Sequence, residues 1–326
     1  MKTPLSIGND AKLQRWGYFF VLPFVIVYAV FNLYPTFYTF FLAFTDIGGL
    51  RRNFNMVGGA NFARLVQDSQ FWKALQNTFI LWGLNFIPQL GLALLLSIWL
   101  SDTRLNLKLK GTFRAIVYMP NLLTAASVAL LFRSLFAYPQ GPINQILFPL
   151  GIHGWTERAG EIVPEAINFF RSVSLSRGIV AFIQFWMWYG QTIIILMAGI
   201  TSISSTYFEA ARIDGASSWQ TTWRITLPLL RPIMLYILVT SMIGGMQMLE
   251  IPFLLTDMRG APDFTIRTNM VYVYNIAFQG DNNRAYAAAI SLGIFVITFV
   301  LALIIYFFMQ DRSDLNRRDS AKKGRN

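Results

Sequence analysis

The sequence predicts an all-α integral membrane protein that crosses the bilayer six times, and three observations predict it. Hydrophobic residues make up 55% of the chain and charged residues only 13%, with mean hydropathy +0.46, whereas a soluble chain is about 25% charged. Six apolar runs, at 16–44, 79–100, 115–136, 178–203, 232–255 and 285–309, are each long enough for a helix to cross the hydrocarbon core. They are solid runs rather than weak alternating segments, so helices are favoured over a closed barrel. Basic residues, finally, are distributed unevenly about them. Six spans put both termini and the loops 102–114 and 204–231 on one side, with 16 basic and 7 acidic residues (+9). The other side has 11 and 9 (+2), and the two add to the chain's +11. The richer side is expected in the cytoplasm, which also accounts for the basic balance without nucleic acid.

Taken in order, 1–15 is a polar cytoplasmic tail ending at Arg15-Trp16, an interface anchor. The first span is too long for the core of a secretory signal and lacks a small-residue cleavage site, so it reads as a retained helix. It contains Pro23 and Pro35, tolerated where neighbours satisfy the freed carbonyls. A loop follows with Val57-Gly58-Gly59-Ala60-Asn61-Phe62. The second span places Asn85 and Gln89 on one helical face. Tyr118-Met119-Pro120 opens the third, which carries Arg133 near its end. The long stretch 137–177 holds a short apolar segment after Gly141-Pro142. It then holds Glu157, Glu161 and Glu165, whose spacing of four would place them on one helix face. The fourth span sets Gln184, Trp188 and Gln191 in one stripe, and the fifth sets Gln247 and Glu250 three apart. The sixth is almost wholly apolar, and Ala285, Ala287, Ala288 and Ala289 suit close helix packing. A basic cytoplasmic tail, 310–326, ends the chain, which reads as a single transmembrane domain over 1–326.

The polar island 204–231 organises the rest. Thr206 and Glu209 have capping-box spacing, so a helix is expected from Thr206. Gly215 falls where that helix needs a residue tolerant of the left-handed conformation. Ser217 and Gln220 repeat the box for a second helix, which Pro228 is expected to break. The spelling is specific: Glu209-Ala210-Ala211, then Asp214-Gly215-Ala216, Ile225, Leu227-Pro228 and Pro232. It resembles the EAA loop of permease subunits in binding-protein-dependent ABC importers, type I architecture, and within them the carbohydrate branch. Trp223 stands where that family more often has Phe. Tyr34-Pro35, the Val57–Phe62 segment, Asn77-Thr78 and Tyr118-Met119-Pro120 add to the similarity, which is closest to the first permease subunit of maltose-type importers.

The resemblance implies a complex in the bacterial inner membrane. Its parts are an extracytoplasmic binding protein, this subunit, a second permease (a different chain in that branch) and two ATPase subunits holding ATP and Mg2+. It implies that Glu209, Ala210, Ala211, Asp214, Gly215, Ala216, Leu227 and Pro228 form the coupling element lodged in the ATPase. It also implies that the fourth and fifth spans supply solute contacts. In this chain the polar groups there are Gln184, Trp188, Gln191, Gln247 and Glu250, amides and an indole suited to sugar hydroxyls and C–H faces. The same glutamines could instead bond neighbouring helices.

Other chemistries are poorly provided for. No Gly-x4-Gly-Lys-Ser/Thr stretch occurs, so this chain has no P-loop of its own and no cofactor is expected in it. There is no cysteine, and the one histidine, His153, lies in a loop, so neither a metal cluster nor a nucleophilic triad is supported. Intramembrane acids are limited to Glu250, too few for a typical proton relay. A self-contained carrier or channel for a polar solute is the rival reading, and an integral-membrane enzyme is weaker still.

Overall fold

The computed structural model describes residues 10–49, 54–101, 110–158, 161–256, 260–280 and 282–309. The termini 1–9 and 310–326 and most of the basic loop 102–114, on which the charge argument leans, lie outside them. Described helices long and apolar enough to cross a membrane run over Trp16–Ala43, Ser69–Ser101, Val173–Ser202, Arg231–Leu255 and Arg284–Met309. A sixth crossing is made only if Gly111–Leu122 and Ala125–Leu135, which meet at 86°, count as one. The expected span 115–136 corresponds to this bent pair. Pro120 sits in a tight turn over Met119–Leu122, and Thr124 then caps a new helix by accepting the Ser127 N–H at 3.3 Å.

The chain falls into two compact units, the first comprising 1–67 and 276–293, the second 68–275 and 294–326. In the first, the helix from Asp10 passes Pro23 without interruption but widens into a π turn over Ala29–Leu33 just ahead of Pro35. The wide turn absorbs a proline that would otherwise clash with the carbonyl four residues back. Asn61 then donates to the carbonyls of Ala43 (2.9 Å) and Thr45 (2.8 Å), closing the helix end. Ala43, Ala288 and Ala289 form a small-residue core with Phe62 and Leu292, and Arg64 lies 4.0 Å over the Tyr286 ring.

In the second unit the helices Ser69–Ser101 and Val173–Ser202 pack together around Phe86, Ala93, Ile193 and Leu196. Gln89 reaches across to Thr192 (2.8 Å), while Asn85, on the same face, turns back to its own Leu81 carbonyl (2.8 Å). Gly190 admits the third span's backbone, because a Cβ there would lie 2.1 Å from the Val117 oxygen. Both long helices begin before their apolar runs, since their polar first turns find partners. Arg177 donates to Asn77 (2.9 Å) and to the Thr265 carbonyl (3.2 Å), and Asn77 donates to the Phe264 carbonyl (2.7 Å). Arg267 beside them contacts Gln70 and lies 4.1 Å over Phe264. Burial lowers its guanidinium pKa from the ordinary value, opposed by Tyr272 and Asp68.

The stretch 137–177 departs from expectation. After a short helix, Pro142–Leu147, the chain forms an antiparallel hairpin of Gly154–Arg158 and Glu161–Glu165, not a helix. Glu157 pairs with Ile162, so it lies on the opposite hairpin face from Glu161 and Glu165. Pro164 is incompatible with a helix interior, whereas a two-stranded edge accepts it. Asn144 anchors the hairpin by exchanging hydrogen bonds with the Ile167 backbone, both at 3.0 Å.

Candidate functional site

The polar loop begins with a helix over Ser205–Ile213. Its cap is Ser204, whose hydroxyl accepts the Thr206 N–H at 3.4 Å; the expected box of Thr206 and Glu209 does not form, and Glu209 stands exposed within the helix. The neighbouring hydroxyls are chemically alike, and the one lying two residues earlier takes the cap. At the other end Gly215 has φ +71°. Its N–H reaches the Arg212 carbonyl (3.1 Å), and the Ala216 N–H reaches the Ala211 carbonyl (2.9 Å). This is a Schellman closure, which satisfies carbonyls that would otherwise be orphaned.

The second helix, Ser218–Thr221, does carry its capping box. The Ser217 hydroxyl accepts the Gln220 N–H (3.2 Å), and the Gln220 side chain accepts the Ser217 N–H (2.8 Å). Pro228 does not end it. The helix widens into a π turn over Thr222–Thr226, passes Leu227–Leu229 and continues after Leu230 as Arg231–Met246. As at Pro35, the wide turn precedes the proline and makes room for it. The two helices enclose a concavity of about 930 Å3 lined by Tyr207, Ala210, Ala211, Asp214, Gln220 and Arg224. Ala211 is buried, Leu227 half-buried, and Asp214, Gly215 and Pro228 are exposed.

The second candidate group is only partly assembled. Trp188 donates to Gln184 along one helix face (3.1 Å), and Gln191 accepts from Asn121 at 3.5 Å. The latter is an interhelical tie to a residue that sequence reasoning passed over although it directly follows Pro120. Gln247 and Glu250 do not share a helix face as expected, because the fifth span breaks at 247–249 and resumes as Glu250–Leu255. Both side chains are exposed, and among the described residues no hydrogen bond or ring contact joins them to the stripe at 184–191.

Several helices long and apolar enough to cross a membrane, with a structured polar loop between two of them, define a multi-pass membrane protein. The chain belongs to the family described as binding-protein-dependent transport system inner membrane component, matched over residues 93–314. It is therefore a permease subunit of an ABC importer and not an enzyme. It is 29% identical to the lactose transport system permease protein LacF of Rhizobium radiobacter, over 94% of this chain and 100% of that one. It is 30% identical to the multiple sugar-binding transport system permease protein MsmF of Streptococcus mutans, over 89% and 94%. Among solved structures, its fold is similar to a chain of a bacterial alginate ABC transporter in complex with an alginate pentasaccharide-bound periplasmic protein. That match has TM-score 0.73 and 23% identity, over 93% of this chain and 97% of the other.

Proposed function

We propose that this chain, as one transmembrane domain over 1–326 with both termini cytoplasmic, is one of two different permease subunits in an ATP-driven importer of a sugar or oligosaccharide. An extracytoplasmic binding protein delivers the solute, and two cytoplasmic ATPase subunits hold the ATP and Mg2+. The sugar class is supported by the lactose and multiple-sugar permeases to which the chain is similar. The charge split, +9 against +2, supports the orientation.

The observation that carries the coupling assignment is the closed geometry of the polar loop. Capping and the Schellman closure satisfy its helix ends internally, so the loop meets a partner as a preformed peg rather than an ordering segment. Glu209 and Asp214 present carboxylates to basic groups of the ATPase, and Gly215 makes the bend. From Ser218 the backbone stays helical to Met246 apart from the turn at Leu230, about 40 Å at 1.5 Å per residue. Displacement of the peg is thereby handed to the fifth span and to the break carrying Gln247 and Glu250. Those two residues, with Gln184, Trp188 and Gln191, are the proposed solute path.

Gly215→Asp puts a side chain at the bend, and Glu209→Lys reverses a charge on the peg. Each is expected to cut sugar uptake about tenfold or more, within the usual range of coupling energies, while the membrane level of the chain holds and the ATPase is lost on purification. Normal uptake with normal ATPase retention in both variants would refute the assignment.

A further inference from the structure

The break in the fifth span has a chemical cause. In an unbroken helix the Met248 carbonyl would accept from the residue four positions on, and that residue is Pro252, which has no N–H. The carbonyl is met instead from outside the span: Thr268 Oγ1 donates to it at 2.5 Å. Thr268 is fully buried, and the same oxygen accepts the Val271 N–H at 3.4 Å, at the start of the helix Asn269–Phe278. The adjoining Asn269 N–H donates to Thr78 Oγ1 on the second span at 2.9 Å, and Thr78 donates to the Ala74 carbonyl at 2.8 Å. The hydroxyl that serves Met248 is therefore held in place from both sides.

We infer that Thr268 is a positioning residue for transport. It satisfies the one carbonyl that Pro252 orphans, keeps the break at 247–249 open, and so holds Gln247 and Glu250 exposed on its two sides. The inference rests on the reading of those two residues as part of the solute path. Thr268 itself touches no solute. Without its hydroxyl, the Met248 carbonyl is left to compete for the Phe253 N–H, which now serves Leu249 at 3.1 Å. The break then tightens and position 250 withdraws.

The chain contains no cysteine, so Glu250→Cys gives a single reactive site in this subunit. In the assembled transporter in proteoliposomes, with any cysteines of the other subunits replaced, a water-soluble methanethiosulfonate should modify position 250. Adding Thr268→Val should slow that reaction about tenfold, the scale of one ordinary hydrogen bond. Thr268→Ser should restore it. Pro252→Ala supplies the missing N–H and should slow it alone, with Thr268→Val adding little more. That double variant also gives the measurement if Thr268→Val does not assemble alone. A rate unchanged by Thr268→Val, or fast modification in the double variant, would overturn the inference. Uptake of lactose and of an arabino-oligosaccharide by Gln247→Leu and Glu250→Gln separates the two claims. Unchanged preference in these with a slowed reaction in Thr268→Val would remove the path reading and leave the positioning intact. A changed preference with no effect of Thr268→Val would do the reverse.

Discussion

Asn77 and Asn269 are both buried amides, 2% and 0% exposed, and they differ in what they meet. Asn77 accepts from Arg177 and donates to the Phe264 carbonyl, while the Asn269 amide has no hydrogen-bond partner among the described residues. Removing the satisfied amide takes an acceptor from the half-buried Arg177 and a donor from the Phe264 carbonyl, at about 1–3 kcal/mol, whereas replacing an unsatisfied amide with an apolar group of similar shape is nearly neutral or stabilising. Asn77→Leu is therefore expected to lower the thermal midpoint of the purified complex by several degrees, and Asn269→Leu to leave it level or raise it. An equal loss in both would show that Asn269 is partnered in the assembly. Sequence reasoning reached this scale unevenly. The left-handed Gly215 and the Ser217/Gln220 box are local, and a few neighbouring residues decide them. The pairing of Asn77 with Arg177, a hundred residues away, leaves no local trace. Ser204, Ser205 and Thr206 offer the same hydroxyl, so the identity of the cap was not legible.

At the scale of elements, apolar run length located the membrane helices, but prolines could not be read as bends one by one. Pro23 and Pro88 lie inside helices that pass straight over them, Pro35 and Pro228 follow π turns, and the spans holding Pro120 and Pro252 break. The proline alone does not announce which outcome follows, and the donor that meets the carbonyl freed by Pro252, that of Met248, lies twenty residues downstream. The hairpin is not legible from the spacing of Glu157, Glu161 and Glu165, which suits a helix face equally; the contrary signal is Pro164, which lies inside the second strand opposite Trp155. Close packing yields a sharper test. Gly190→Ala places a methyl against the third span's backbone, where nothing flexible can yield, and overpacking of this kind costs about 1–3 kcal/mol. The variant should lower the membrane level or the thermal midpoint, while Gly91→Ala, with open space around its Cβ, should not. Equal behaviour of the two would show that the helices separate there.

For the whole molecule, the proposed orientation puts the polar loop and the hairpin on opposite sides of the membrane. Single cysteines at Ser205 and Ser218 should resist an impermeant thiol reagent in intact cells, and those at His153 and Ile162, which is exposed, should label. Labelling at Ser205 from outside would end both the orientation and the coupling assignment. The π turn at Thr222–Thr226 bears on how such a link between two faces tolerates change in its length. It holds one residue more than an α turn would, and one residue is about 100° of rotation along a helix. A deletion almost anywhere else between the peg and the fifth span would swing every later side chain to a new azimuth. A deletion here is taken up by the slack coil, which closes to an ordinary turn, provided Pro228 is exchanged for a residue that needs no room. Residue count and proline at this point are thus a matched pair, and either one altered alone puts the segments on its two sides out of phase.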